Sequence, residues 1–176
     1  SGLVRLLPDG GAPLPLTELD AGRGERTHRW PAALPGGREV AFTIGLADQP
    51  DDYENAAIDA VELATGKRRP LLRGASMVRF AASGHVLLGR EGQVLALPLA
   101  AATGGSAEEA RPVLRNVAGV AASGIVHFDV AADGTLVYAE RDPRGAEHSL
   151  AWLSRVGELE NLPLPPREYR GPVISP

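Results

Sequence analysis

Five carboxylates fall in one short stretch of the chain: Asp48, Asp51, Asp52, Glu54 and Asp59. Carboxylate oxygens are the ligands that a hard cation such as Ca²⁺ takes. Their spacing does not follow the EF-hand loop, which needs a central Gly and a terminal Glu. A solvated loop between two strands explains the same residues and is the preferred reading. Four histidines are present, His28, His85, His127 and His148, none in the HxH or HxxxH spacing that makes a local metal pair. His28 and His127 both stand near the start of an apolar strand, so they could face one mouth of a channel. The plainer reading is a polar residue carried along by an internal repeat.

Nucleophilic and phosphoryl chemistry find no support. A serine hydrolase elbow needs GxSxG, and neither Gly74-Ala75-Ser76 nor Ala82-Ser83-Gly84 completes it. Gly22-Arg23-Gly24 lacks the Lys-Ser/Thr and the strand-to-helix setting of a phosphate loop. HRD, DFG and VAIK kinase signatures are missing, and the absence of cysteine excludes thiolate zinc sites and cysteine nucleophiles. No catalytic, cofactor-binding or metal-ligating residue is therefore assigned, no cofactor is expected, and the chain is read as a non-enzyme. A net charge of −4 supplies no basic field for nucleic acid. No apolar run approaches the ~18 residues of a membrane helix. The chain opens Ser1-Gly2-Leu3-Val4, without the basic and apolar leader of a secretory signal.

The elements that would carry any site come from a repeat. WPAALPGGREVAFTI (Trp30 to Ile44), VRFAASGHVLLG (Val78 to Gly89) and HFDVAADGTLVYAE (His127 to Glu140) each join two apolar stretches through a Gly turn. Their turn glycines, Gly37, Gly84 and Gly134, are 47 and 50 residues apart. Short strands at a period of about 40–50 residues are the signature of β-propeller blades. Between these hairpins lies a second kind, at 57–72, 93–114 and 150–164, and Leu3 to Leu16 is a fourth copy of it. Twenty-one glycines and 15 prolines fit many tight turns.

The reading is all-β: a single partial β-propeller over 1–176 of four-stranded antiparallel blades, a fragment or half of a larger one. It has an outer hairpin (3–20), three complete blades (28–73, 77–117 and 125–164) and one inner strand (168–176). Inner strands are expected near 28–34, 77–82 and 126–131. The best helix candidate, Ser106 to Arg111, is too short and is read as loop. Trp30, Phe80, Phe128, Tyr138 and Trp152 could form a binding platform; interblade core is preferred. Pro163-Leu164-Pro165-Pro166 reads as a linker rather than a polyproline ligand. Gly134→Val is expected to cost more than Gly105→Val, because Gly134 sits in a tight turn and Gly105 in a long loop.

The repeats resemble the TolB-like, WD40-like family of bacterial propellers, whose usual turn is SPDG before an apolar strand. Here the turn stands as LPGG at 34–37, ASG at 82–84 and AADG at 131–134, and Ser175-Pro176 looks like its first half. HRWPAALPGGREVAFTI, RFAASGHVLLGREGQVLALPL and HFDVAADGTLVYAE also look like propellers that follow the membrane segment of bacterial serine/threonine kinases. The resemblance implies a non-catalytic sensor or protein-binding module, extracytoplasmic or periplasmic, and supplies no catalytic residue. The alternatives are an accessory propeller of a serine peptidase or hydrolase, and a TolB-type periplasmic protein-interaction module. An uncapped repeat array is expected to self-associate as a dimer or to pack against the rest of a larger propeller, with no membrane insertion of this segment.

Overall fold

The computed structural model describes residues 1–141, 149–167, 169 and 171–174. Of these, 47% are strand and 8% helix. The chain opens with an antiparallel ribbon, β1 (Val4–Arg5) and β2 (Leu14–Pro15). A turn in which the Gly10 amide donates to the Leu7 carbonyl closes it. The first blade follows in chain order as β3 (Glu25–Ala33), β4 (Glu39–Leu46), β5 (Ala57–Glu62) and β6 (Arg68–Arg73). The second begins with β7 (Met77–Ala81), β8 (His85–Arg90) and β9 (Gln93–Pro98). After β9 the chain makes a helical turn, α1 (Leu99–Ala102), and lays β10 (Gly105–Ser106) in parallel along the outer edge of β6. It then returns as β11 (Arg111–Leu114) to complete the second blade. A small ribbon, β12 (Gly119–Val120) and β13 (Ile125–Val126), leads into the third. That blade is β14 (Phe128–Val130), β15 (Leu136–Ala139), β16 (Leu150–Leu153) and β17 (Leu159–Asn161).

Turn chemistry explains the inner hairpins. The same amide-to-carbonyl bond closes all three: Gly37 to Leu34, Gly84 to Ala81, and Gly134 to Ala131, at 3.0, 3.0 and 2.9 Å. All three glycines have positive φ, as such turns require. Between β8 and β9, Glu91 and Gly92 have φ of 49° and 68°, as a two-residue type I′ hairpin demands.

Burial explains the stacking. Val86, Leu87 and Leu88 on β8 are consecutive and all buried, so both faces of the second blade are covered. Val86 and Leu88 join Ile58, Leu71 and Leu95 in a cluster between the first and second blades. Leu87 points the other way, to Met77, Val126, Phe128 and Leu136, between the second and third. A third cluster, Phe42, Ile44 and Val61 with Leu3 and Leu16, seats the N-terminal ribbon on the first blade. The blades are thus layers of an arc, each facing its neighbour through period-two side chains.

Several expectations need correction. The inner strand of the first blade starts at Glu25, ahead of residue 28. That of the third is split at His127, whose amide donates to the Ala118 carbonyl and whose carbonyl accepts from Ala139. The loop after β9 is not plain loop: the alanine run 100–102 makes a helical turn, and Gly105–Ser106 adds a fifth strand to the first blade. The described residues of the expected final strand, Tyr169 and 171–174, carry no strand. Ser175-Pro176 and His148 lie outside the described residues.

Candidate functional site

A cluster of charged side chains lies under the N-terminal ribbon. A register shift between Glu25 and Thr27 places Glu25 and His28 on one face of β3 although they are three apart. Arg68 reaches from β6 and forks onto Glu25, with Nη2 2.7 Å from Oε1 and Nη1 3.0 Å from Oε2. Its Nη2 also donates to Asp59 at 3.0 Å. His28 Nε2 is 2.9 Å from Glu25 Oε2, and its Nδ1 is 2.7 Å from Thr17 Oγ1. A carboxylate only accepts, so Nε2 carries the proton and Nδ1 accepts from the Thr17 hydroxyl. Thr17 Oγ1 in turn accepts from the Leu3 amide at 2.8 Å. Burial pushes the Glu25 carboxyl up, but the Arg68 guanidinium, the Asp20 amide and His28 outweigh it and hold it at about 2. Burial also depresses His28, against the pull of Glu25, and keeps the imidazole neutral.

Hydroxyl, imidazole and carboxylate in line resemble a catalytic triad. Here Thr17, His28 and Glu25 are all buried and the hydroxyl oxygen is engaged by Leu3. The hydroxyl is already bonded on both sides, and the relay straps the ribbon to the first blade. His127 holds the other end of the arc in a matching way, since its Nδ1 accepts the Gly171 amide at 2.7 Å. The two histidines therefore do not open on a shared channel; each is buried within the fold.

The acidic stretch is not brought together. Asp48, Asp51 and Asp52 are exposed on the β4–β5 loop, and Asp52 caps the Glu54 amide. Glu54 accepts the Glu91 amide at 2.6 Å, while Asp59 is buried on β5 against Arg68 and Arg23. Among the described residues no three His, Asp or Glu side chains converge as a metal site. The aromatic residues spread over different layers. Phe80 packs in the first interblade cluster, and Phe128, Tyr138 and Trp30 in the second. Trp30 has φ of 53°, at a bulge in β3, and its Nε1 donates to the Ser123 carbonyl at 3.0 Å, tying the first blade to the loop before β13. Arg79 on β7 pairs with Asp129 on β14 at 3.0 Å and bridges neighbouring inner strands. Pro163 to Pro166 follow β17, and Pro165 accepts the Tyr169 hydroxyl at 2.7 Å.

A cleft of about 420 Å³ lies between the second and third blades, on the side of the inner-hairpin turns. Leu87, Leu136 and Ala96 form its floor, continuous with the second core cluster. Val113, half exposed on β11, forms the outer wall. Ser83, His85, Ser154 and Arg155 edge it. Sheets packed around an axis diverge toward the rim, and the cleft is the wedge left there. The sequence gives no warning of it, because its walls are ordinary strand residues.

Four-stranded antiparallel sheets in chain order, faced on both sides and splayed around inner strands, define an arc of a β-propeller. A solved structure described as TolB from Agrobacterium tumefaciens superposes on it with a TM-score of 0.57 and 14% identity, covering 86% of this chain and 52% of that one. The chain thus spans about half the length of that structure and shares its fold. Structures of the tricorn protease and of prolyl endopeptidases also match, each with a TM-score of 0.48. Identities are 12% and 14%, covering 85% and 86% of this chain but 14% and 23% of theirs. No protein-family model matches the sequence, and no curated protein is significantly similar to it. No helix among the described residues is long and apolar enough to cross a membrane.

Proposed function

We propose that the chain is a non-catalytic binding module for a protein or peptide ligand, used as the extracytoplasmic sensor region of a bacterial serine/threonine kinase. The observation that carries the binding reading is the interblade cleft. Its apolar floor and few rim polar groups on a stiff sheet scaffold are the usual make-up of a ligand site. The likeness of the repeats at 28–44, 79–99 and 127–140 to kinase-attached propellers supports the sensor reading and a place outside the cytoplasmic membrane. The exposed Val4 and Leu6 by the N-terminal ribbon, and Val156 and Val173 in the C-terminal part, support self-association of two copies.

One cross-linking experiment in cells tests the binding reading and the self-association. A photoreactive residue at position 113 is expected to capture a distinct protein, and one at position 4 a second copy of the chain. Ala96→Phe, which fills the cleft, should remove the first product and spare the second. Capture from position 113 no stronger than from exposed position 48, or untouched by Ala96→Phe, would refute the cleft as the binding site.

A further inference from the structure

The rim of the cleft is not neutral. Arg155 lies across the backbone of Gly134, where a Cβ would fall 2.3 Å from its Nε. Arg23, Arg68, Arg69, Arg79 and Arg90 each have a carboxylate partner; Arg155 has none within ion-pair distance among the described residues. Its guanidinium is exposed, with the Asp133 carboxylate within electrostatic reach, and stands beside an apolar floor that suits a ligand with a carboxylate next to an apolar group. His85 adds a polar group to the rim: its Nδ1 is 3.2 Å from both the carbonyl and the hydroxyl oxygen of Ser83, so either ring nitrogen can carry the proton. The outer wall supplies a main chain. β11 is the last strand of its sheet, and among the described residues nothing pairs with its outer side. The first blade shows how such an edge takes an added segment, since β6 accepts β10 alongside it.

Resting on the cleft as the binding site, we infer that it takes the C-terminal residue of a peptide. The apolar side chain lies on Leu87 and Leu136, the terminal carboxylate on Arg155, and the preceding main chain along β11. A free carboxylate, an apolar last side chain and an amide N–H occur together at a peptide C-terminus. A simple alkyl carboxylate offers no main chain for the strand edge.

Two pools of hexapeptides, randomised at the first five positions and ending in Leu, test this by amide chemical-shift titration of the full chain. One pool ends in the free acid and the other in the C-terminal amide. The free-acid pool should shift Ser83, Leu136 and Ser154 and bind about fivefold more tightly than the amide pool, the upper range for a partly exposed ion pair. Arg155→Gln should erase that difference, and Arg38→Gln, outside the cleft lining, should keep it. Decanoate should bind more weakly than the acid pool. Equal binding of the two pools at the cleft, or decanoate as tight as the peptides, overturns the C-terminal inference and leaves the cleft as a binding site. No shift at cleft residues with either pool overturns both. The spectrum of Arg155→Gln itself reports whether that variant is folded.

Discussion

Glu25→Gln is expected to lower stability by about 3 kcal/mol, because it removes the buried carboxylate that a part-buried guanidinium and a buried imidazole share. The side chain of Glu25 is fully buried and receives Arg68, His28 and the Asp20 amide, so no water replaces the lost charge. Its carboxyl is held at about 2, against 4.5 for the free group. A folded value below the unfolded one stabilises the protein above the unfolded value. That stabilisation, about 3 kcal/mol by linkage, should be complete above about pH 5 and lost as the pH falls toward 2. Glu39 offers the comparison. Its carboxyl is also lowered, chiefly by the hydrogen bond from Arg69, but that pair is partly exposed. Glu39→Gln should cost under about 1 kcal/mol. Urea unfolding of both variants at pH 7 and pH 3 checks this. A Glu25 loss as small as that of Glu39, or one that persists unchanged at pH 3, would remove the buried cluster as the strap for the N-terminal ribbon.

Gly105→Val should destabilise more than Gly134→Val, which reverses the expectation drawn from turn chemistry alone. A Cβ at Gly105 would lie 2.2 Å from the Ala101 carbonyl oxygen, a backbone atom fixed by α1. Relief requires β10 to leave the edge of β6, at a cost of about 3 kcal/mol or more. Gly134 has φ of 91° and its Cβ would meet Arg155, but that obstacle is the end of a flexible, exposed side chain that can swing away. The φ strain that remains is about 1–2 kcal/mol. Thermal unfolding of the two variants separates these costs, and a larger loss at Gly134 would mean that β10 is not anchored on the first blade.

These two sites show what the sequence could and could not convey. The inner hairpins were legible because Gly37, Gly84 and Gly134 mark turns that few other residues can make. The stacking was legible because runs such as Val86 to Leu88 leave no polar face for solvent. What escaped was non-local. Glu25 and His28 meet only because β3 carries a bulge, which no period-two pattern reveals. Gly105 looked like a loop residue because its partner, Leu72, is in another blade. Asp59 was grouped with the acidic loop although the hairpin expected at 57–72 already places it on a strand, and its partners Arg68 and Arg23 are not visible in the spacing. The cleft was hidden for the same reason: blade divergence is a property of the arc and of no single strand.

The arc itself has one natural reporter. Met77 is the sole methionine of the chain, and its sulfur lies 3.2 Å from the Val126 amide, across the interface that opens into the cleft. With the methionine methyl ¹³C-labelled, nuclear Overhauser spectra should show one sharp methyl signal with cross-peaks to the Val126 amide and the Phe128 ring. A methyl signal with cross-peaks only to residues of its own sheet, β7 to β9 and β11, would mean that the second and third blades do not stack, and the cleft and its ligand would fall with them.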